Sequence, residues 1–267
     1  MTKDKKNKKE ISKKNTKKAD RVPTGVPGLD KLIQGGLPKL SSTLVVAGPG
    51  CGKTIFCMQY IFNGAKEFNE KGLYVTFEQS SESLKKQAKQ FGWDFQKLEK
   101  EGMIEILSVP VTKLNRKTIE DIEERVNKKG IKRLVIDSLS TLIINAPIYA
   151  DTSDMSTQDV VGENVFLSPP VMGDYLVKKF IYSFVERLRV LNSTNLLVGE
   201  ADQTGTTLTR DSLSEFACDA IISITFESLG GEFSRSLIIR KMRHTKNNED
   251  IHPMEISKKG IVVHESI

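Results

Sequence analysis

The chain is 267 residues long, enough for one large α/β domain or two small ones and for a core that needs no disulfide staples. Hydrophobic residues make up 38% and glycine adds 19 positions, which excludes a mostly disordered or fibrous protein. The formal net charge of +6 is local, because the first 21 residues hold ten basic against three acidic side chains while the remainder holds 30 against 31.

Residues 1–20 are lysine-rich, with Ile11 the one apolar side chain larger than alanine after the initiator, and predict a disordered tail. Such a tail either touches phosphate backbones without reading sequence or serves as a solubilising extension. Residues 21–267 read as the folded domain. Gly25, Pro27, Gly28, Gly35, Gly36 and Pro38 bracket one short helical segment, Leu29 to Ile33. Thr43 to Ala47 predicts a buried strand, and Lys53 to Phe68 a helix with Ile55, Met58, Phe62 and Ala65 on its apolar face. Strand Leu73 to Phe77, helix Ser81 to Phe91, strand Ile104 to Val109, helix Thr118 to Lys129 and strand Arg133 to Ile136 continue the alternation. This rhythm predicts an α/β fold whose mostly parallel central sheet is flanked by helices. Residues 146–173, with Pro147, Gly162, Pro169, Pro170 and many polar side chains, predict an inserted surface loop. Helix Tyr175 to Leu191 and strand Asn195 to Val198 restore the pattern. The close-set runs Ala220 to Phe226, Arg235 to Arg240, Met254 to Ile256 and Ile261 to Val263 predict antiparallel C-terminal strands.

No apolar run approaches the roughly 18 residues of a bilayer span, and no apolar stretch follows the lysine-rich start to make a secretory signal. Cys51, Cys57 and Cys218 are too few and too irregularly spaced for a disulfide framework or a zinc site. A cytoplasmic chain with no membrane partner is the expectation. His244, His252 and His264 lack ligand-like spacing and read as surface residues, and Trp93 reads as a packing anchor.

The stretch Ala47-Gly48-Pro49-Gly50-Cys51-Gly52-Lys53-Thr54 fits a phosphate-binding loop in the variant that begins with alanine. It follows an apolar strand and opens a helix, the context that loop requires. Gly48, Gly50 and Gly52 let backbone N–H groups encircle phosphates, and the helix N-terminus adds partial positive charge. Lys53 would neutralise the β and γ phosphates of a nucleotide, and the Thr54 hydroxyl would hold Mg²⁺. A metal held this way needs a carboxylate at the end of a neighbouring strand, which Leu134-Val-Ile-Asp137 supplies, although an acid ending a strand is by itself a common pattern. Glu78 closes the strand from Leu73, and parallel strands present their C-terminal ends along one edge, so Glu78, Asp137 and the loop should share a crevice. There Glu78 either orients an attacking water as a base or serves the first turn of the next helix. Ser138, Ser140 and Thr141 either position phosphate-bound water or cap the next turn.

Several of these stretches together resemble a known family. Arg21-Val-Pro-Thr-Gly-Val-Pro-Gly-Leu-Asp30, Gly35-Gly-Leu-Pro38, the phosphate loop, Phe77-Glu-Gln79, Phe91-Gly-Trp-Asp94 and Ile136-Asp-Ser-Leu139 resemble the single-domain archaeal and bacterial relatives of KaiC, within the RecA/RadA superfamily of ring-forming ATPases. The likeness spans residues 21 to 264 and implies a RecA-like P-loop NTPase that binds Mg²⁺ and ATP, hydrolyses ATP and assembles as a homo-oligomer, a hexameric ring. It also implies that Glu78 is the catalytic base. Lys241 and Arg243 match a Lys-x-Arg pair that reaches the neighbouring subunit's nucleotide, although an ordinary edge-strand charge pair fits the same residues. If the match holds, Arg243 is a finger that acts in trans on transition-state charge.

Three departures limit the likeness. KaiC has two such domains and a paired glutamate after the second strand, where this chain has one domain and Gln79, so autophosphorylation and clock function do not carry over. Cys51 stands where relatives have a small hydroxyl or similar residue, and reads either as an oxidisable thiol or as a tolerated small side chain. The 146–173 segment is acidic, with Asp151, Asp154, Asp159 and Glu163 followed by Asp174 and no Lys or Arg between Asn145 and Tyr175, which disfavours nucleic acid there. The expectation is a regulatory or signalling switch with a protein partner. Its rivals are a RadA-like DNA recombination ATPase, supported by the basic tail, and a nucleotide-gated scaffold in which hydrolysis is incidental.

Overall fold

A computed structural model describes residues 20–145, 169–202, 205–229 and 232–266. The expected tail over residues 1–19 and most of the expected acidic loop, residues 146–168, lie outside the described residues. The chain enters through a short antiparallel pair, β1 (Arg21–Val22) with β2 (Leu37–Pro38), which flanks helix α1 (Leu29–Leu32). One carboxylate closes this entry. Asp30 accepts from the Thr24 N–H at 2.8 Å, the Thr24 hydroxyl at 2.7 Å and the Gly25 N–H at 3.0 Å.

Next come β3 (Ser42–Ala47), helix α2 (Lys53–Glu67), β4 (Gly72–Thr76), helices α3 (Ser81–Gln90) and α4 (Phe95–Lys100), and β5 (Ile104–Ser108). They are followed by α5 (Arg116–Lys129), β6 (Arg133–Asp137), α6 (Leu139–Ile144), α7 (Pro169–Val190), β7 (Thr194–Glu200) and α8 (Ser214–Ala217). The chain then runs through β8 (Ala220–Leu229), β9 (Glu232–Met242), β10 (His252–Ser257) and β11 (Gly260–Val263). Polar caps place the helix starts: Ser80 accepts from the Ser83 N–H and Asp94 from the Lys97 N–H, which satisfies amides with no partner inside the helix.

Among the described residues the strands form a nine-stranded sheet in the order β11-β10-β9-β8-β3-β7-β6-β4-β5. Strands β8, β3, β7, β6, β4 and β5 run parallel, while β9, β10 and β11 are antiparallel. The α/β class with antiparallel C-terminal strands is therefore present, with one correction. β8 was expected among the antiparallel strands, yet it extends the parallel run beside β3, because residues 201–219 with α8 give the chain room to cross back.

Alternate residues of the central strands feed two cores. Val45, Ala47, Tyr74, Val135 and Val198 face α2, and Leu44, Val46, Val75, Leu134, Ile136 and Leu197 face the α5, α6 and α7 side. Burial on both faces explains why these strands read as continuous apolar runs. The expected stripe on α2 is corrected: Phe56, Cys57, Tyr60 and Ile61 are buried beside Met58, while Ile55 and Phe62 are only partly so. The helix is covered on its second flank by the β10–β11 hairpin, where Gln59 accepts from the Ile261 N–H at 2.6 Å and donates to the Ile261 carbonyl at 3.1 Å. Helix α7 starts at Pro169, within the expected loop, and α5 starts at Arg116, ahead of Thr118.

Trp93 is 4% exposed and stacks on Phe91 and Phe62, an anchor as expected. His252 corrects the surface reading, being fully buried with Nδ1 facing the His264 carbonyl at 3.2 Å, since it is on the inward side of β10 with Met254. At the lower end of the sheet Arg133 is fully buried, with Nε donating to Glu70 at 2.7 Å, one NH to the Tyr60 carbonyl at 3.1 Å, and its guanidinium 4.6 Å from the Tyr60 ring.

Candidate active site

The ends of β3, β4 and β6 bring the sequence-predicted groups to one edge of the sheet. The loop from Gly48 to Thr54 turns from β3 into α2 through Gly50 and Gly52, whose φ angles of 74° and 108° lie in the left-handed region that glycine tolerates. A Cβ added at Gly50 would meet nothing within 4 Å. Lys53 curls back over the loop, its Nζ donating to the carbonyls of Ala47 and Gly48 at 2.8 Å each. Cys51 is buried within the loop, with Sγ 3.8 Å from the Pro49 carbonyl.

The Thr54 hydroxyl donates to Asp137 Oδ2 at 3.1 Å, although β7 lies between their strands. The same oxygen accepts from the Tyr74 hydroxyl at 2.5 Å. Burial pushes the Asp137 carboxyl up from its ordinary range, the Tyr74 and Thr54 hydroxyls pull it back, Glu78 pushes it up and Lys53 lowers it. Burial, with Asp137 beside it, holds the Tyr74 hydroxyl well above its usual value, so Tyr74 is a fixed donor. A hydroxyl and a carboxylate oxygen converging next to a phosphate loop are the hard donors that Mg²⁺ takes while it keeps water and phosphate oxygens as its other ligands. Among the described residues no group of three or more His, Cys, Asp or Glu gathers, so a softer or all-protein metal centre has no counterpart there.

Glu78 follows β4 and turns toward α6. Its Oε1 accepts from the Thr141 hydroxyl at 3.0 Å and from Ser138 at 3.4 Å. Ser138 also N-caps α6 by accepting from the Thr141 N–H, which is the capping reading. The first turn of α3 holds Glu82, with Ser80 as its cap, and Glu78 serves neither position. Ser140 leaves the group and accepts from the Glu200 N–H at 3.0 Å.

Lys241 and Arg243 sit elsewhere. Met242 pairs with Ala220, which pairs with Thr43, whereas the phosphate loop starts beyond Ala47. Four residues of extended strand, about 13 Å, separate the two levels of the sheet. Within one chain the pair therefore lies at the opposite end of β3 from the phosphate loop. Lys241 Nζ donates to the Cys218 and Glu215 carbonyls at 2.7 and 3.3 Å, and Arg243 donates to Asp219 at 3.1 Å.

The family model described as "ATPase: KaiC" matches residues 22–150 and 171–267. The chain belongs to the KaiC ATPase family. It is 30% identical over 260 residues to the UPF0273 protein MJ1359 of Methanocaldococcus jannaschii, covering 91% of this chain and 96% of that one. It is 32% identical over 262 residues to a UPF0273 protein of Thermotoga maritima, with 92% and 96% covered. The crystal structure of the KaiC-like protein PH0186 from Pyrococcus horikoshii superposes with a TM-score of 0.73 at 32% identity, covering 92% of this chain and 100% of the other. Membership gives nucleotide binding and ATPase chemistry at the level of the family, on a RecA-type fold. No helix among the described residues is long and apolar enough to cross a membrane.

Two site residues of this KaiC-family chain escaped the sequence reading. Tyr74 looked like one more apolar strand residue. Arg235, on the overhanging β8–β9 hairpin, donates to the Gly50 carbonyl at 3.3 Å and lies 4.1 Å over the Phe226 ring, which puts a cation beside the phosphate loop. No local pattern marks a contact 185 residues apart in sequence.

Proposed function

We propose that the chain is a Mg²⁺-dependent ATPase that works in the cytoplasm as a regulatory or signalling switch, assembled as a hexameric ring. The observation that carries this reading is the Thr54 hydroxyl held 3.1 Å from Asp137 at the mouth of the Gly48–Thr54 loop. Mg²⁺, when bound, offsets charge on the β and γ phosphate oxygens. Thr54 and Asp137 hold it, the backbone from Gly48 through Pro49, Gly50, Cys51 and Gly52 surrounds the phosphates, and Lys53 neutralises them. Glu78, oriented by Ser138 and Thr141, directs the attacking water at the γ phosphate. Lys241 and Arg243 are too far along the sheet to serve their own loop; Arg243 acts on a neighbour's nucleotide, and Lys241, bonded to the Cys218 and Glu215 carbonyls, would have to turn outward to join it. The acidic 146–173 segment favours a protein partner over nucleic acid.

The test uses purified full-length protein. It should release phosphate from ATP only with Mg²⁺, and Lys53→Ala should lose nucleotide binding. Glu78→Gln should keep binding and lose turnover by roughly 100-fold or more. Failure to bind ATP with Mg²⁺ at millimolar concentration would overturn the reading, and a monomer at all concentrations would remove the ring.

A further inference from the structure

Asp219 precedes β8 at the lower end of the sheet, where its side chain is 13% exposed. Every polar group it has is engaged. Its N–H donates to the Ser42 carbonyl at 2.9 Å, and its carbonyl accepts from the Arg243 N–H at 3.0 Å. Its Oδ2 accepts from the Ser42 N–H at 3.1 Å, which fixes the plane of the carboxylate to the first residue of β3. The remaining oxygen, Oδ1, takes two guanidinium groups, from Arg243 at 3.1 Å and from Arg189 on α7 at 3.3 Å. A carboxylate anchored to a central strand makes a rigid mount, unlike a surface acid on a flexible stem.

The two arginines it holds differ in what else they touch. Arg189 is tied down further, donating to Glu186 at 2.8 Å and to the Ala217 carbonyl at 3.2 Å. Lys241 is likewise turned inward to carbonyls. Arg243 keeps 47% of its side chain exposed, held at its base by backbone and at one NH by Asp219. Arg189 and Arg243 are matched by the carboxylates of Asp219 and Glu186, and Lys241 adds one further positive charge to this corner. Beside it a cleft of about 450 Å³ is lined by Tyr182, Glu186, Arg189, Phe216 and Arg243, and Tyr182 and Phe216 are exposed.

We propose that Asp219 is a positioning residue for Arg243: it holds the guanidinium, through Ser42 at the start of β3, in the orientation presented to the triphosphate of a second copy of this chain. The proposal rests on the trans reading above. It assigns Asp219 no contact with nucleotide and predicts that its loss acts on the neighbour's site, leaving its own chain's site intact.

The test combines full-length variants in mixed assemblies, prepared by co-expressing differently tagged copies and purifying through both tags. Asp219→Ala alone should lower kcat by on the order of 10- to 100-fold with KM and the affinity for a fluorescent ATP analogue unchanged. Mixed with Glu78→Gln, whose finger is intact, it should regain turnover. Mixed with Arg243→Ala it should regain none, and the double variant Asp219→Ala/Arg243→Ala should be no slower than Arg243→Ala. Asp219→Asn, which keeps the shape and the acceptor, serves if the alanine variant does not fold, and should show the same pattern with a smaller loss. Weakened ATP affinity in the variant, or no regain with Glu78→Gln in confirmed mixed assemblies, makes Asp219 a fold residue and overturns the proposal. Unaltered turnover in Arg243→Ala sinks the trans reading itself, a result distinguishable because it appears before Asp219 is touched.

Discussion

The Tyr74 hydroxyl lies 2.5 Å from Asp137 Oδ2 and donates to the same oxygen that the Thr54 hydroxyl reaches. Two donors, one from the start of α2 and one from β4, restrain the rotation of this carboxylate. Tyr74→Phe removes one donor and leaves the ring packing intact. We expect the Mg²⁺ concentration for half-maximal ATP hydrolysis to rise about tenfold, the lower end of what such supporting bonds contribute. A Mg²⁺ titration that superposes on wild type would show that Thr54 alone suffices.

Thr141 holds Glu78 through a 3.0 Å hydroxyl bond, the shorter of two. Thr141→Val keeps the volume and removes the donor, leaving a half-anchored carboxylate. Turnover should fall roughly tenfold with KM unchanged, since Glu78 is assigned to water and not to binding. A change confined to KM would move Glu78 out of that role.

Gly64 sits on α2 against Arg133, and a Cβ there would come within 2.3 Å of Arg133 Cδ and 2.5 Å of Nε. Alanine in a helix interior ordinarily gains about 0.5–1 kcal/mol over glycine. Overpacking costs about 1–3 kcal/mol, and Arg133 is pinned by Glu70 and the Tyr60 carbonyl. The clash should win, so Gly64→Ala should be about 1 kcal/mol less stable in urea unfolding. A more stable variant would mean that the guanidinium swings aside at little cost.

Burial, with Asp219 next in sequence, pushes the Cys218 thiol up to about 12 from an ordinary value of 9.0. The folded chain holds this proton more tightly than the unfolded one, so the stability it contributes is complete below pH 9 and declines as pH rises toward 12. The stability difference between wild type and Cys218→Ala should therefore shrink with rising pH, by about 2 kcal/mol between pH 9 and 10.5. A difference independent of pH would place the thiolate in contact with solvent.

Much of the fold was legible because β3, β4, β6 and β7 are buried on both faces and leave unbroken apolar runs between turn residues. The short helices α4 and α6 were not, since six residues do not establish a helical period. At the site, Lys53, Thr54, Asp137 and Glu78 stand at strand ends or in a spaced motif, which is why a linear reading found them. Tyr74, Arg235 and Asp219 act across 63, 185 and 177 residues, on partners that only the folded sheet brings near. The motif from Thr24 to Asp30 drew attention as a family mark, and its acid binds backbone and a hydroxyl of its own turn.

Gln59 holds both the amide and the carbonyl of Ile261, 202 residues further along the chain. A ribosome delivers the helix behind the phosphate loop early and its second wall late. Until β11 emerges, a buried glutamine and the surface around it have only water for company. The growing polypeptide therefore waits for the β10–β11 hairpin before that helix is sealed, and a chaperone that shields nascent apolar surface would find it there.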